Sequence, residues 1–333
     1  MVKSKKIFEC NNCGHQSSKW TGKCIECNEW NTLSERILSS SKKNSVSKSL
    51  KTPQLINDIK GESSERIQIN DQEFNRVIGN GLVKGSVILL GGEPGIGKST
   101  LSLKIALTLQ LKVLYISGEE SNEQIKLRAK RLNYQNNQCF IYNETEINTI
   151  IKTSDEVTPK LIIIDSIQTI YNTEIDAIPG SVSQIKYSAE VLIKFAKERS
   201  IPIIIIGHIT KDGAIAGPKV LEHMVDTVLQ FEGDKNHLYR LVRSIKTRFG
   251  STNELGIYEM NEKGLQEVSS PSKMLISTNQ EQLSGIALGC SLEGVRPLMI
   301  ETQALTSPAT YGNPQRSANG IDIKRLNMLL AVI

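Results

Sequence analysis

Ser86-Val87-Ile88-Leu89-Leu90-Gly91-Gly92-Glu93-Pro94-Gly95-Ile96-Gly97-Lys98-Ser99-Thr100 is the stretch on which the fold of this 333-residue chain turns. An apolar run leads into a glycine-rich segment, and an amphipathic helical pattern follows at once. Glycines let a backbone fold tightly enough to aim several N–H groups at one phosphate chain. The start of the next helix adds its dipole and its unpaired donors. Gly92, Glu93, Pro94, Gly95, Ile96, Gly97, Lys98, Ser99 and Thr100 are therefore read as the phosphate loop. In it Lys98 reaches the β- and γ-phosphates and the Ser99 hydroxyl ligates Mg²⁺. A chance Gly-rich turn does not explain every position of the motif together with both flanks. The segment predicts binding of a nucleoside triphosphate.

Outward from this loop, apolar runs alternate with helical patterns. Strands are expected at Ser86–Leu90, Lys112–Ile116, Leu161–Ile164, Ile201–Ile206 and Asp226–Phe231, and helices at Ser99–Leu109, Asn122–Leu132 and Ser183–Glu198. Continuous apolar strands separated by helices imply an α/β fold with a mostly parallel sheet covered on both faces. Beyond Asp226 the pattern turns hairpin-like, with Leu238–Arg243, Ile257–Asn261 and Leu265–Val268. Pro271 to the end reads as the opening of another domain, with a strand at Leu298–Ala304 and a helix at Asp322–Ile333.

Chemistry is expected where these strands end. Leu161-Ile162-Ile163-Ile164-Asp165 delivers a carboxylate to the sheet edge, placing Asp165 to hold Mg²⁺ through a bound water beside Ser99. Ser117-Gly118-Glu119-Glu120 brings two more, of which Glu119 is the candidate base for the attacking water and Glu120 the reserve. A helix N-terminal region would favour acids there too. In Gly207-His208-Ile209-Thr210-Lys211 a polar side chain can contact the γ-phosphate, and His208 is the candidate, with a satisfied core or loop histidine as the plain alternative. The small, lysine-bearing stretch Lys211–Lys219 is suited to following a phosphate backbone, or is simply a surface loop. Lys246-Thr247-Arg248-Phe249-Gly250 sets two cations around a tight turn, suited to completing a neighbouring subunit's site, with a solvated turn as the plain alternative.

Four of the six cysteines form two C-x-x-C knuckles, Cys10-Asn11-Asn12-Cys13 and Cys24-Ile25-Glu26-Cys27. Four thiolates at this spacing close a tetrahedral structural zinc site. Cys139 and Cys290 stand singly in apolar settings and are read as core residues. The net charge of +5 is uneven: up to Lys60 there are eleven Lys/Arg against five Asp/Glu. A basic arm of this kind suits a polyanion partner, most simply nucleic acid, or a solubilising linker. No apolar stretch approaches the ~20 residues of a membrane span, and Met1–Lys6 has no apolar segment behind it, so the expected location is the cytoplasm.

Taken together, these motifs resemble the bacterial RadA (Sms) family of DNA-repair ATPases, relatives of the RecA recombinase. The match runs from Phe8 to the last residue. It is carried by Lys19-Trp20, Cys24–Leu33, Gly79–Ser86, the phosphate loop, Ser117–Ser121, Asp165-Ser166-Ile167-Gln168-Thr169, Gly207–Lys211 and Lys246–Gly250. In the last of these, Thr247 stands where the family has Asn, and both cations remain. The resemblance implies a zinc finger at 1–34, a flexible linker at 35–65, a RecA-like ATPase domain at 66–270 and the first part of a Lon-protease-like domain at 271–333. It further implies ATP as the nucleotide and a DNA-dependent ATPase working as a hexameric ring. The ring would move on single-stranded DNA and promote branch migration of recombination intermediates alongside RecA. Lys98, Glu119, Asp165, Lys246 and Arg248 would carry catalysis, Lys246 and Arg248 acting as fingers across a subunit interface. DnaB-like or clock-type ring ATPases and an ATP-dependent protease are the rival readings. The zinc module and the Lys246–Gly250 turn argue against the ring ATPases, and the want of an identifiable Ser–Lys pair argues against the protease.

Overall fold

The computed structural model describes residues 5–10, 15–38, 55, 66–208, 218–233, 238–277, 284–308, 312 and 315–332. At the N-terminus β1 (Lys5–Cys10) pairs antiparallel with both β2 (Gln16–Ser17) and β3 (Leu33–Leu38). The third strand carries regular structure to Leu38, into the stretch 35–65 expected to be a linker.

Beyond residue 66 comes α1 (Gln72–Val77), capped by the Asp71 carboxylate accepting from the Phe74 N–H. The phosphate-loop unit follows as β4 (Val87–Gly92) and α2 (Lys98–Thr108). Then alternate β5 (Val113–Ser117), α3 (Asn122–Leu132), β6 (Cys139–Tyr142), α4 (Ile147–Val157), β7 (Leu161–Asp165), α5 (Val182–Arg199), β8 (Ile203–His208), α6 (Pro218–Met224) and β9 (Thr227–Gly233). Three antiparallel strands close the sheet: β10 (Tyr239–Thr247), β11 (Leu255–Asn261) and β12 (Gly264–Glu267). The order across the nine strands is β12-β11-β10-β9-β4-β8-β7-β5-β6, with β9 to β6 mutually parallel.

Alternation along each strand decides which face a side chain joins. Ile88, Leu90, Tyr115 and Ile163 pack with Leu101 and Ile105 of α2 and Ile125 of α3. Their neighbours Val87, Leu89, Ile116 and Ile164 pack with Ile147 of α4 and Ile185, Ala189 and Leu192 of α5. Covering both faces is what permits strands as apolar as Ile203-Ile204-Ile205-Ile206, all fully buried. Each such side chain contributes roughly 1.5–3 kcal/mol of transfer free energy. Helix starts follow local capping chemistry: at α3, Ser121 and Gln124 form a reciprocal capping box.

Within residues 66–270, four of the strands and α-helices have no counterpart in the sequence reading: α1, β6, α4 and α6. All are short or only partly buried, so their apolar pattern is thin. The remaining chain groups as Ser272–Ser291 with Pro297–Ile333, whereas Leu292–Arg296 groups with the large unit. Here β13 (Ile286–Glu293) pairs with β14 (Arg296–Gln303), and α7 (Ile323–Val332) has no buried residue. Cys290 in β13 is exposed, which corrects its reading as a core residue; its flanking apolar residues Leu288 and Leu292 are exposed as well. Cys139 is half-buried against the core, and burial pushes its thiol up to about 11. Among the described residues no helix is long and apolar enough to cross a membrane.

Candidate functional site

Parallel strands deliver their C-terminal ends to one edge of the sheet, and the predicted groups meet there. The loop after β4 turns through Gly95 and Gly97, both with positive φ (76° and 118°). A Cβ on Gly97 would also press on the Met260 methyl at 3.2 Å, so this position requires glycine twice over. Gly97 is the N-cap of α2, which aims that helix's free N–H groups into a cleft of about 400 Å³. Pro94, Gly95, Gly97, Lys98, Ser99, Thr100, Glu119, Glu120, Arg128 and His208 line it.

Lys98 is buried and donates to the carbonyls of Gly92 and Glu93, each at 2.8 Å. Desolvation pulls its ammonium down to about 8, against the pull of Asp165, Glu119 and Glu93. Asp165, at the end of β7, accepts from the Tyr115 hydroxyl at 2.6 Å and from Ser99. Burial raises its carboxyl above the usual range, and these two hydrogen bonds oppose the rise. A serine hydroxyl and a carboxylate in contact at the mouth of a phosphate loop form a donor set that fits Mg²⁺.

Glu119 and Glu120 have different surroundings. Glu119 meets His208 Nε2 at 3.2 Å and accepts from the Ser166 hydroxyl at 2.5 Å. The hydrogen bond from His208, then that from Ser166, overcome desolvation and hold its carboxyl down at about 2. It is ionised throughout the neutral range and faces the cleft. Glu120 is tied to Arg128, and its carbonyl accepts from Asn143, so its carboxylate is committed beside the cleft. Gly118 explains the glycine between strand and acids: a Cβ there would lie 2.1 Å from Thr169 Oγ1. The segment after β5 thus packs directly on the turn after β7.

Lys246 and Arg248 are not in this cleft. In the β10–β9 register Lys246 pairs with Val228 and Thr247 with Thr227, and Thr227 is level with Ile88 in β4. That is the start of β4, roughly 13 Å of strand away from Gly92. Lys246 Nζ instead donates to the carbonyls of Glu222 (2.6 Å), Val225 (2.9 Å) and His223 (3.3 Å), at the end of α6. Arg248 lies 3.5 Å from the Asp226 carboxylate and is half-exposed. The Thr247 hydroxyl accepts from the Phe249 N–H at 3.1 Å, closing the turn as a polar side chain at its first position can. Arg66 Nη2 fixes the Phe249 carbonyl at 2.8 Å. Residues 209–217, which hold most of the lysine-bearing stretch proposed for DNA, lie outside the described residues.

In the N-terminal module the Sγ atoms of Cys10, Cys24 and Cys27 gather within 4.8 Å of one another, with Cys10 to Cys27 at 3.6 Å. Thiolates 2.3 Å from one tetrahedral ion stand about 3.8 Å apart, so the cluster fits zinc. Cys13 lies outside the described residues.

Sequence reasoning missed Tyr115, Ser166 and Arg128. Tyr115 sits in mid-strand and reads as core, and Ser166 and Arg128 reveal their roles only through partners 47 and 8 residues away.

Residues 59–214 match the model of an AAA domain, and residues 8–35 that of a rubredoxin metal-binding domain of the zinc-ribbon type. The chain is 47% identical to the DNA repair protein RadA of Listeria monocytogenes and 47% identical to that of Bacillus subtilis. In both cases all of this chain aligns with 75% of the relative. Among solved structures a KaiC-like protein from Pyrococcus horikoshii superposes with a TM-score of 0.51 at 16% identity, over 62% of this chain and 99% of that one. That likeness concerns the fold alone. An ATP-binding AAA domain and a zinc ribbon follow from these matches and from the cysteine cluster.

Proposed function

The chain belongs to the RadA family of DNA repair proteins, and we propose that it is a DNA-dependent ATPase whose hydrolytic site is shared between two copies of the chain. In this reading it assembles as a hexameric ring in the cytoplasm, moves along single-stranded DNA and drives branch migration of recombination intermediates together with RecA. One observation carries it. Lys98, Ser99, Asp165, Glu119 and His208 converge at one sheet edge, while the two finger cations lie at the other.

Lys98 and the α2 N-terminus would receive the phosphates of ATP, Lys98 leaving the Gly92 and Glu93 carbonyls for them. Ser99 and Asp165 would hold magnesium, which supplies neutralisation of charge on the transferring phosphoryl oxygens. Tyr115 fixes the orientation of the Asp165 carboxylate from behind. Glu119, ionised and steadied by His208 and Ser166, would orient the attacking water; at a pKa of about 2 it acts chiefly through position and charge. Lys246 and Arg248 of one copy would reach the γ-phosphate held by the next. The Cys10, Cys13, Cys24 and Cys27 module would fold around zinc.

The test is the rate of ATP hydrolysis with and without single-stranded DNA. Stimulation by DNA is expected. A rate indifferent to nucleic acid and accompanied by peptide cleavage would favour the protease reading instead.

A further inference from the structure

Gly250 ends the Lys246–Gly250 turn, and its backbone lies directly against that of Gly79 in the turn that follows α1. A Cβ on Gly250 would stand 3.0 Å from the Gly79 Cα. A Cβ on Gly79, whose φ is 80°, would stand 2.9 Å from the Phe249 carbonyl oxygen and 3.3 Å from the Gly250 Cα. Two glycines therefore let the turns close backbone to backbone, which no larger residue at either position allows without displacement. Beside this contact the Arg66 guanidinium donates from Nη2 to the Phe249 carbonyl at 2.8 Å. A charged donor makes this a stronger bond than an uncharged pair would form.

Backbone groups on both sides of the Arg248 side chain are thus held. The Arg248 N–H donates to the Asp226 carbonyl at 3.1 Å, the Phe249 N–H to the Thr247 hydroxyl at 3.1 Å, and the Phe249 carbonyl accepts from Arg66. The Arg248 side chain itself stays half-exposed. A fixed backbone under a projecting side chain suits a residue that acts on another molecule, because less ordering is left to do on contact. Arg66 is itself well anchored. Its neighbour Ile67 exchanges two backbone hydrogen bonds with Leu82, each at 2.9 Å, and Gln68 Nε2 donates to the Asn80 carbonyl at 2.9 Å. On this side the turn borders an open pocket of about 870 Å³, so a directed hydrogen bond restrains it where packed core does not.

We propose that Arg66 is a positioning residue for the finger: with Gly79 and Gly250 it clamps the Lys246–Gly250 turn, so that Arg248 is presented in one orientation to the γ-phosphate held by a neighbouring chain. The inference rests on the shared-site reading above. It assigns Arg66 no contact with nucleotide.

The experiment uses the full chain and Arg66→Met, which keeps much of the side chain's bulk without its donors. Its kcat for ATP should fall about tenfold, with KM within twofold and the urea midpoint close to wild type. Mixing assigns the defect to one side of the interface. With Lys98→Ala, which keeps clamp and finger, the rate should rise above the mean of the two parents; with Arg248→Ala it should not. Amide hydrogen exchange over Thr247–Ser251, which needs neither nucleotide nor a second chain, should be about tenfold faster in Arg66→Met. Unchanged exchange, an unchanged kcat, or recovery on mixing with Arg248→Ala would each overturn the proposal. An Arg248→Ala chain that hydrolyses ATP at the wild-type rate would instead refute the shared-site reading, while the exchange rates would still decide whether Arg66 holds the turn.

Discussion

The two edges of the parallel sheet carry charged groups in opposite states of readiness. At the C-terminal edge Lys98, Ser99, Glu119 and His208 line one cleft, with Asp165 buried behind Ser99 and Glu119 paired with His208. At the N-terminal edge Lys246 is spent on three carbonyls that end α6, and Arg248 leans on Asp226, whose other carboxylate oxygen accepts from the Val87 N–H at 3.0 Å. One edge gathers the cleft-lining groups, and at the other, among the described residues, the two cations are anchored to the scaffold. Sheet geometry forbids the two from meeting within one molecule. The proposal of a site shared between chains is motivated by that separation.

The largest effect expected at the finger edge is on turnover. Arg248→Ala should lower hydrolysis by about 10³-fold, the order typical of a finger cation, while nucleotide affinity stays within a few-fold. A fluorescent-nucleotide titration beside a phosphate-release assay measures both. Equal losses in binding and turnover would mean that Arg248 serves its own chain's cleft.

At the cleft edge the lowered Lys98 pKa gives a pH signature. Its folded value of about 8 lies below the ordinary 10.5, so burial favours the neutral amine. Above pH 8 the unbound cleft loses its charge, and ATP affinity should fall, approaching tenfold per pH unit at the limit. Stability should move the other way. The unfolded chain binds more protons between pH 8 and 10.5, so this group's contribution rises with pH in that window. Nucleotide titration and denaturant unfolding at pH 7, 8 and 9 separate the two trends. Glu119, held down at about 2, should add no titration step to either between pH 5 and 7.

The smallest effect sharpens the contrast between the two fingers. Lys246 caps a helix C-terminus, so Lys246→Ala should cost about 1 kcal/mol of stability as well as turnover. Arg248 is half-exposed with a single pair at 3.5 Å, and Arg248→Ala should leave the unfolding midpoint nearly unchanged. Urea unfolding of both variants checks this.

How much of this was legible in the sequence depended on whether the signal was local. The phosphate loop, Asp165, Glu119 and His208 each end a continuous apolar run, and the fold puts such ends on one edge. The short strand Cys139–Tyr142 is only partly buried, so neither run length nor alternation marks it. Tyr115 looks like any core aromatic until Asp165, 50 residues on, is seen against its hydroxyl. The commitment of Lys246 to α6 involves backbone carbonyls, which no side-chain pattern encodes. Cys290 lies among apolar residues of a two-stranded sheet that leaves almost all of its strand exposed, so apolar neighbours there do not signal burial.

The separation of the two edges is tested most directly by mixing two inactive variants. Lys98→Ala lacks a working cleft and keeps its fingers; Arg248→Ala lacks a finger and keeps its cleft. Once native mass spectrometry shows that mixed oligomers form, the mixture contains interfaces that join an intact cleft to intact fingers. ATP hydrolysis should then recover to a substantial fraction of the wild-type rate, although neither variant alone is active. Mixed oligomers that remain as inactive as their parents would contradict a site shared between chains.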